Sequence, residues 1–180
     1  MTKGIRGGHW VIVFASASLI SAMAGAPALA APVKHPAKPA PAAGAAAEPQ
    51  ASWILGHQKD AFSLSYGLPN QDSVITFACI AKSGDISIQV PQDANRGRAD
   101  QSQPLSLTIG GVRSSFAGLV SDDPTNGGLL VTVTVPARNP MFTALGGPGG
   151  LHIEGKGFAK NVPLRAIGDK LRQFLATCRK

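Results

Sequence analysis

A chain of 180 residues with 44% hydrophobic side chains carries enough apolar material for one folded core, at the usual ~100–200 residues per domain. Its length argues against a repeat array or a multidomain enzyme. An aromatic fraction of 6% is low for a nucleic-acid or sugar binder that works by stacking, and two cysteines are too few for a disulfide-framework miniprotein or a thiolate zinc site. The formal net charge of +7 by itself argues only for solubility.

The first thirty residues have the three parts of a secretory signal peptide: Lys3 and Arg6, an apolar run over 10–20, and small residues at Ala28-Leu29-Ala30. Cleavage is expected after Ala30. The most apolar part is shorter than the ~20 residues that span hydrocarbon, which argues against a permanent anchor. The membrane is then met only through the signal peptide, and the mature protein is expected in the periplasm or secreted, where disulfides persist.

Residues 31–51 read as a spacer. Positions 31–50 hold eight alanines and five prolines, a composition that buries no core and favours extended polyproline geometry. The remainder, 52–180, reads as a single β-rich domain.

Alternating apolar residues predict strands near 53–55 and 61–66, then over 74–81 and 86–90, the last two joined through Lys82-Ser83-Gly84-Asp85. A second hairpin, 105–109 and 112–116, turns at Gly110-Gly111, where glycine takes the positive φ a two-residue turn needs. Between these hairpins, the polar stretch 92–103 is the longest loop of the domain, and its mixed charges suit a mobile surface loop better than a binding loop. Further strands are predicted over 129–135 and 151–154. Asn139-Pro140 before Met141-Phe142-Thr143-Ala144-Leu145, with Gly146-Gly147 behind, predicts a short helix. The last element is an amphipathic helix over 167–179, in which Ile167, Leu171, Phe174, Leu175 and Cys178 form one stripe. That stripe needs a sheet to cover it. The fold class expected is mainly β (α+β): an antiparallel sheet or sandwich with the C-terminal helix packed on it.

Cys79 shares a strand face with Ile75 and Phe77, and Cys178 lies on the helical stripe, so both point at the core. A Cys79–Cys178 disulfide follows. Neither residue belongs to a Cys-x-x-Cys pair, and buried thiols in apolar surroundings are inert.

Most chemical motifs fail on inspection. Gly150-Leu151-His152-Ile153-Glu154-Gly155-Lys156-Gly157 matches seven positions of a phosphate-binding P-loop, yet Gly157 stands where magnesium needs Ser or Thr, and the segment alternates as a strand. His57, Asp60, His152 and Glu154 are conceivable zinc ligands or acid–base groups, but sheet alternation makes neighbours only of His152 and Glu154, and a solvated polar face explains all four. Asp122 and Asp123 sit in a sequence of turn composition. No Gly-x-Ser-x-Gly elbow or His-Glu-x-x-His pair occurs. No catalytic residue, metal or cofactor is therefore assigned.

Charge is distributed unevenly. Between 52 and 137 five Lys or Arg face seven Asp or Glu; from 138 to 180 eight face two. Arg165, Lys170, Arg172, Arg179 and Lys180, with Lys34 and Lys38 of the spacer, make a candidate surface for an anionic partner, although cations near the end of the helix also suit its dipole. The function expected is a non-catalytic periplasmic or cell-surface module that binds an envelope protein or an anionic envelope polymer, and not nucleic acid. The alternative is a small exported hydrolase using scattered polar residues of the sheet.

Overall fold

Alternation along the chain gives nearly every segment one inward face, and the segments assemble into one curled antiparallel sheet. The computed structural model describes residues 50–124 and 126–179. The segment expected to be a signal peptide, most of the expected spacer with Lys34 and Lys38, and Lys180 lie outside the described residues.

Nine strands, β1 (Ser52–Gln58), β2 (Ala61–Gly67), β3 (Ser73–Ile80), β4 (Asp85–Gln92), β5 (Ser102–Ile109), β6 (Val112–Asp122), β7 (Leu129–Pro136), β8 (Gly150–Gly155) and β9 (Phe158–Pro163), are joined by helices α1 (Met141–Leu145) and α2 (Gly168–Cys178). The strand order is β1-β2-β3-β4-β7-β6-β5-β8-β9. The expected class is present, as a single sheet rather than a two-sheet sandwich.

Cross-strand register lines up the core: Phe77 opposite Ile88, Ile88 opposite Val133, Val131 opposite Val120, and Leu107 opposite Ile153. These residues are buried, and each such side chain contributes roughly 1.5–3 kcal/mol of transfer free energy. The β5–β6 turn has φ of 56° at Gly110 and 83° at Gly111, the two left-handed positions expected of a tight hairpin.

Curling brings the two edge strands together. The Trp53 indole of β1 donates to the Pro163 carbonyl at the end of β9 over 2.9 Å. Its ring packs against Tyr66 and Phe77 at centroid distances of 5.4 and 6.2 Å, inside the aliphatic core. Trp53 thus closes the seam of the sheet with both its apolar body and its polar tip.

α1 starts as expected: Asn139 Oδ1 accepts the Met141 N–H at 3.0 Å. It buries Met141, Phe142 and Leu145, and the Phe142 ring meets Phe77 edge-on. In α2 the buried residues are Leu171, Phe174, Leu175 and Cys178, the stripe read from the sequence, with Ile167 buried just ahead.

β9 is a strand that alternation did not reveal. Lys160 stands on the same face as Phe158 and Val162, opposite Ile153, so a cation interrupts the apolar series. Its aliphatic stem is half-buried while Nζ donates to the Pro91 carbonyl at 3.1 Å and lies 5.8 Å from the Phe158 ring centroid. Burial holds the Lys160 ammonium below its ordinary pKa of 10.5, with the nearby Asp93 carboxylate opposing the shift.

Candidate functional site

Cys79, next to last in β3, and Cys178, the last residue of α2, form a disulfide with Cα atoms 5.8 Å apart. The backbone reinforces it. Helix ends leave carbonyls without intrahelical donors, and here the β3–β4 turn supplies two: Lys82 N donates to Thr177 O and Gly84 N to Cys178 O, both over 2.9 Å. The same turn receives the Ala137 N–H at Gly84 O over 2.8 Å, so β3–β4, the end of β7 and α2 are fastened at one point.

Beside this junction, α1 and α2 enclose an open groove of about 510 Å³. Phe142, Leu171 and Leu175 give it apolar walls, and Arg172 and Arg179 line it as well. Both arginines are exposed. Arg172 pairs with Asp169 one turn earlier, a contact of small energetic weight at full exposure. Arg179 Nε donates to the Ala137 carbonyl at 3.4 Å and reaches a second, smaller hollow that Arg138 also lines.

The remaining members of the sequence-derived basic surface are placed differently. Lys170 is half-buried and its ammonium donates to the Trp53 carbonyl, which ties α2 to β1. Arg165 is exposed in the connection between β9 and α2. Lys170 and Arg172 lie in the first half of α2, whose first turn holds Asp169 and whose last turn holds no basic residue. Among the described members of the set only Arg179, at the C-cap, is positioned to complement the helix dipole.

The histidine and carboxylate candidates part company. His57 packs on the Phe62 ring at 4.4 Å. His152 bonds Asn161 Oδ1 through Nδ1 at 2.7 Å and lies 3.6 Å from Glu154 through Nε2. Glu154 in turn takes Arg113 at 3.0 Å, and Arg113 reaches the Ser106 hydroxyl at 3.1 Å, itself 3.0 Å from Ser115 Oγ. This chain of contacts follows cross-strand neighbours on β9, β8, β5 and β6. Serine and imidazole are not bonded to each other in it, so the geometry is that of a polar ladder rather than a nucleophile with its base. Among the described residues no three His, Cys, Asp or Glu side chains gather as a metal site would, and no helix is long and apolar enough to cross a membrane. Asp123 accepts from Asn126 N and Nδ2 at 3.3 and 3.1 Å, the turn role its composition indicated.

One basic cluster escaped the sequence reading. The segment after β4 and the β8–β9 turn, about sixty positions apart, place Arg96, Arg98 and Lys156 around one cleft. Nothing in local spacing links them; pairing of β5 with both β6 and β8 does.

The class defined by these features, among the described residues, is a disulfide-closed antiparallel β domain with a capping C-terminal helix and basic hollows at both ends of the sheet. No family model and no curated protein matches the chain. Among solved structures it is similar to invasion associated protein B from Bartonella henselae, at 13% identity and a TM-score of 0.45, over 71% of this chain and 93% of that one. A likeness at that level carries no argument about function.

Proposed function

We propose that the chain is an exported, non-catalytic module of the periplasm or cell surface, with residues 1–30 removed as a signal peptide and 31–51 serving as a spacer. The Cys79–Cys178 disulfide supports export, because such bonds persist in oxidising compartments. Its partner is an envelope protein, engaged through an acidic segment with apolar side chains.

The observation that carries this reading is the pairing of Arg172 and Arg179 along the α1–α2 groove, over the walls of Phe142, Leu171 and Leu175. Guanidinium groups bind carboxylates bidentately, and the apolar walls offer burial to the side chains between them. Charge on both arginines steers an acidic segment in, and apolar contact retains it. Each exposed ion pair is worth on the order of 1 kcal/mol or less, so the two must act together and weaken as salt shortens the Debye length.

The test is fluorescence anisotropy with a labelled peptide of alternating Glu and Leu, at low and high salt. Wild-type protein binds it at low salt, and Arg172→Gln with Arg179→Gln weakens binding about tenfold or more, while loss of the Arg179 contact with the Ala137 carbonyl lowers the melting temperature only slightly. Retention of binding by that variant at both salt concentrations overturns the proposal. Lys170 is left intact in this variant because its bond to Trp53 O gives it a structural part.

A further inference from the structure

At the opposite strand ends from the helices, the segment that leaves β4 at Gln92 and the turn between β8 and β9 border an open cleft of about 510 Å³. Its charged lining is Arg96, Arg98 and Lys156, with the amides of Asn95 and Gln101 beside them. Among the described residues no carboxylate lines it. Arg96 is partly neutralised by Asp93 at 3.3 Å, whereas Arg98 and Lys156, both exposed, form no ion pair among the described residues.

The cleft is built rather than incidental to a floppy loop. Gln92 and Gln103 are buried, Gln92 Nε2 donates to Gln103 Oε1, and Gln103 Nε2 donates to the Arg96 carbonyl, each over 3.3 Å. This ladder anchors a 3₁₀ turn (Ala94–Arg96) from beneath. From above, the Arg96 guanidinium donates to the Gly157 carbonyl. Gly157 has φ of 75°, a conformation that favours glycine, and a Cβ there would stand 2.8 Å from Arg96 Nη1 and push the guanidinium aside. The loop that reads from sequence as mobile is pinned at both sides of the cleft.

We propose that this cleft binds a phosphate group carried on a hydrophilic ligand. Arg98 offers a planar fork and Lys156 a compact point charge, and a tetrahedral phosphate has enough acceptor oxygens to engage both at once. To two cations without an ion-pair partner among the described residues, a phosphate group offers more acceptor oxygens, tetrahedrally arranged, than a single carboxylate does. The volume exceeds a bare phosphate, and Asn95 and Gln101 present donors and acceptors suited to hydroxyls on its carrier. Among the described residues no apolar side chain lines the cleft to hold an apolar carrier. This site shares no residue with the α1–α2 groove, so the two proposals fail separately.

The experiment is calorimetric titration of the full-length chain with inorganic phosphate, glycerol phosphate and a glycerol-phosphate polymer, with acetate as the carboxylate control. Phosphate binds the wild type, and Arg98→Gln with Lys156→Gln lowers its affinity about tenfold or more, the scale of two lost charge contacts. Arg172→Gln with Arg179→Gln leaves it unchanged. Tighter binding of the polymer than of glycerol phosphate puts the group on an envelope polymer, and equal binding puts it on a small molecule; either supports the site. Acetate binding as tight as phosphate, or an Arg98–Lys156 double variant that still binds as tightly with its circular dichroism intact, overturns the proposal.

Discussion

Where β3 turns into β4, the molecule is held by a covalent bond and by backbone hydrogen bonds from Lys82 and Gly84 to the last carbonyls of α2. Where β4 ends and the segment toward β5 begins, the holding groups are side chains: Gln92 to Gln103, Gln103 to the Arg96 carbonyl, Arg96 to Asp93 and Gly157. Both ends carry basic residues next to a hollow of similar size. The difference lies in what surrounds the charge. At the helix end two arginines flank apolar walls, and at the loop end three cations stand among amides and glycines. The two proposed ligands, an amphipathic acidic segment on one side and a hydrophilic anion on the other, rest on that contrast rather than on net charge.

Three perturbations sharpen it. The largest effect belongs to the helix end. Replacing Cys79 and Cys178 together with serine removes a link across 99 positions, worth up to about 4.7 kcal/mol by chain entropy and typically ~2–4 kcal/mol in practice. Urea unfolding measures the loss. The accompanying expectation is that amide exchange accelerates along α2 and the β3–β4 turn but not around Gly157. Equal acceleration at both ends would erase the distinction drawn between them.

A smaller effect belongs to the loop end. Gly157→Ala forces a side chain onto a positive φ and against Arg96 Nη1, at a cost of about 1 kcal/mol or somewhat more. Thermal unfolding registers that cost, and phosphate affinity falls with it because the turn carrying Lys156 shifts away from Arg96. The acidic peptide binds as before.

The smallest effect is a pH dependence set at β9. Burial lowers the Lys160 pKa below 10.5, so between the folded value and 10.5 the unfolded chain holds more protons than the native one. Stability contributed by this residue therefore rises with pH across that alkaline window. Lys160→Met removes the titrating group, and the alkaline rise in urea midpoint flattens in the variant. Lys160 remains partly solvated, which keeps the change small.

How far the sequence disclosed all this differs element by element. Strands that face the core on one side, such as β3 with Ile75, Phe77 and Cys79, announce themselves by period-two alternation. The stripe of α2 does so by its helical spacing, and the disulfide follows from the two patterns taken together. β9 stayed hidden because Lys160 occupies an inward position and finds a carbonyl, an aromatic face and a carboxylate to sit among. No local pattern encodes that compensation. The candidate sites divide in the same way. Arg172 lies in α2 and Arg179, seven positions on, is its C-cap, so their nearness in sequence was legible, while the groove they line also needs α1 beside them. Lys170 carries the same charge on the same helix, but its bond to the Trp53 carbonyl depends on how α2 docks against β1. Arg96, Arg98 and Lys156 meet only after the sheet order places β8 beside β5. The stretch 150–157, rejected as a P-loop because it lacks the hydroxyl residue and runs as a strand, supplies Lys156 to that cleft for a different geometric reason.

The most direct measurement is an amide chemical-shift map of the full-length chain, titrated first with the alternating Glu-Leu peptide and then with glycerol phosphate. The account predicts two separate sets of moving signals: residues of α1 and α2, including Arg172 and Arg179, with the peptide, and residues 95–101 and 155–158 with the phosphate. A single common set for both ligands, or shifts confined to the His152–Glu154–Arg113 ladder, would contradict it.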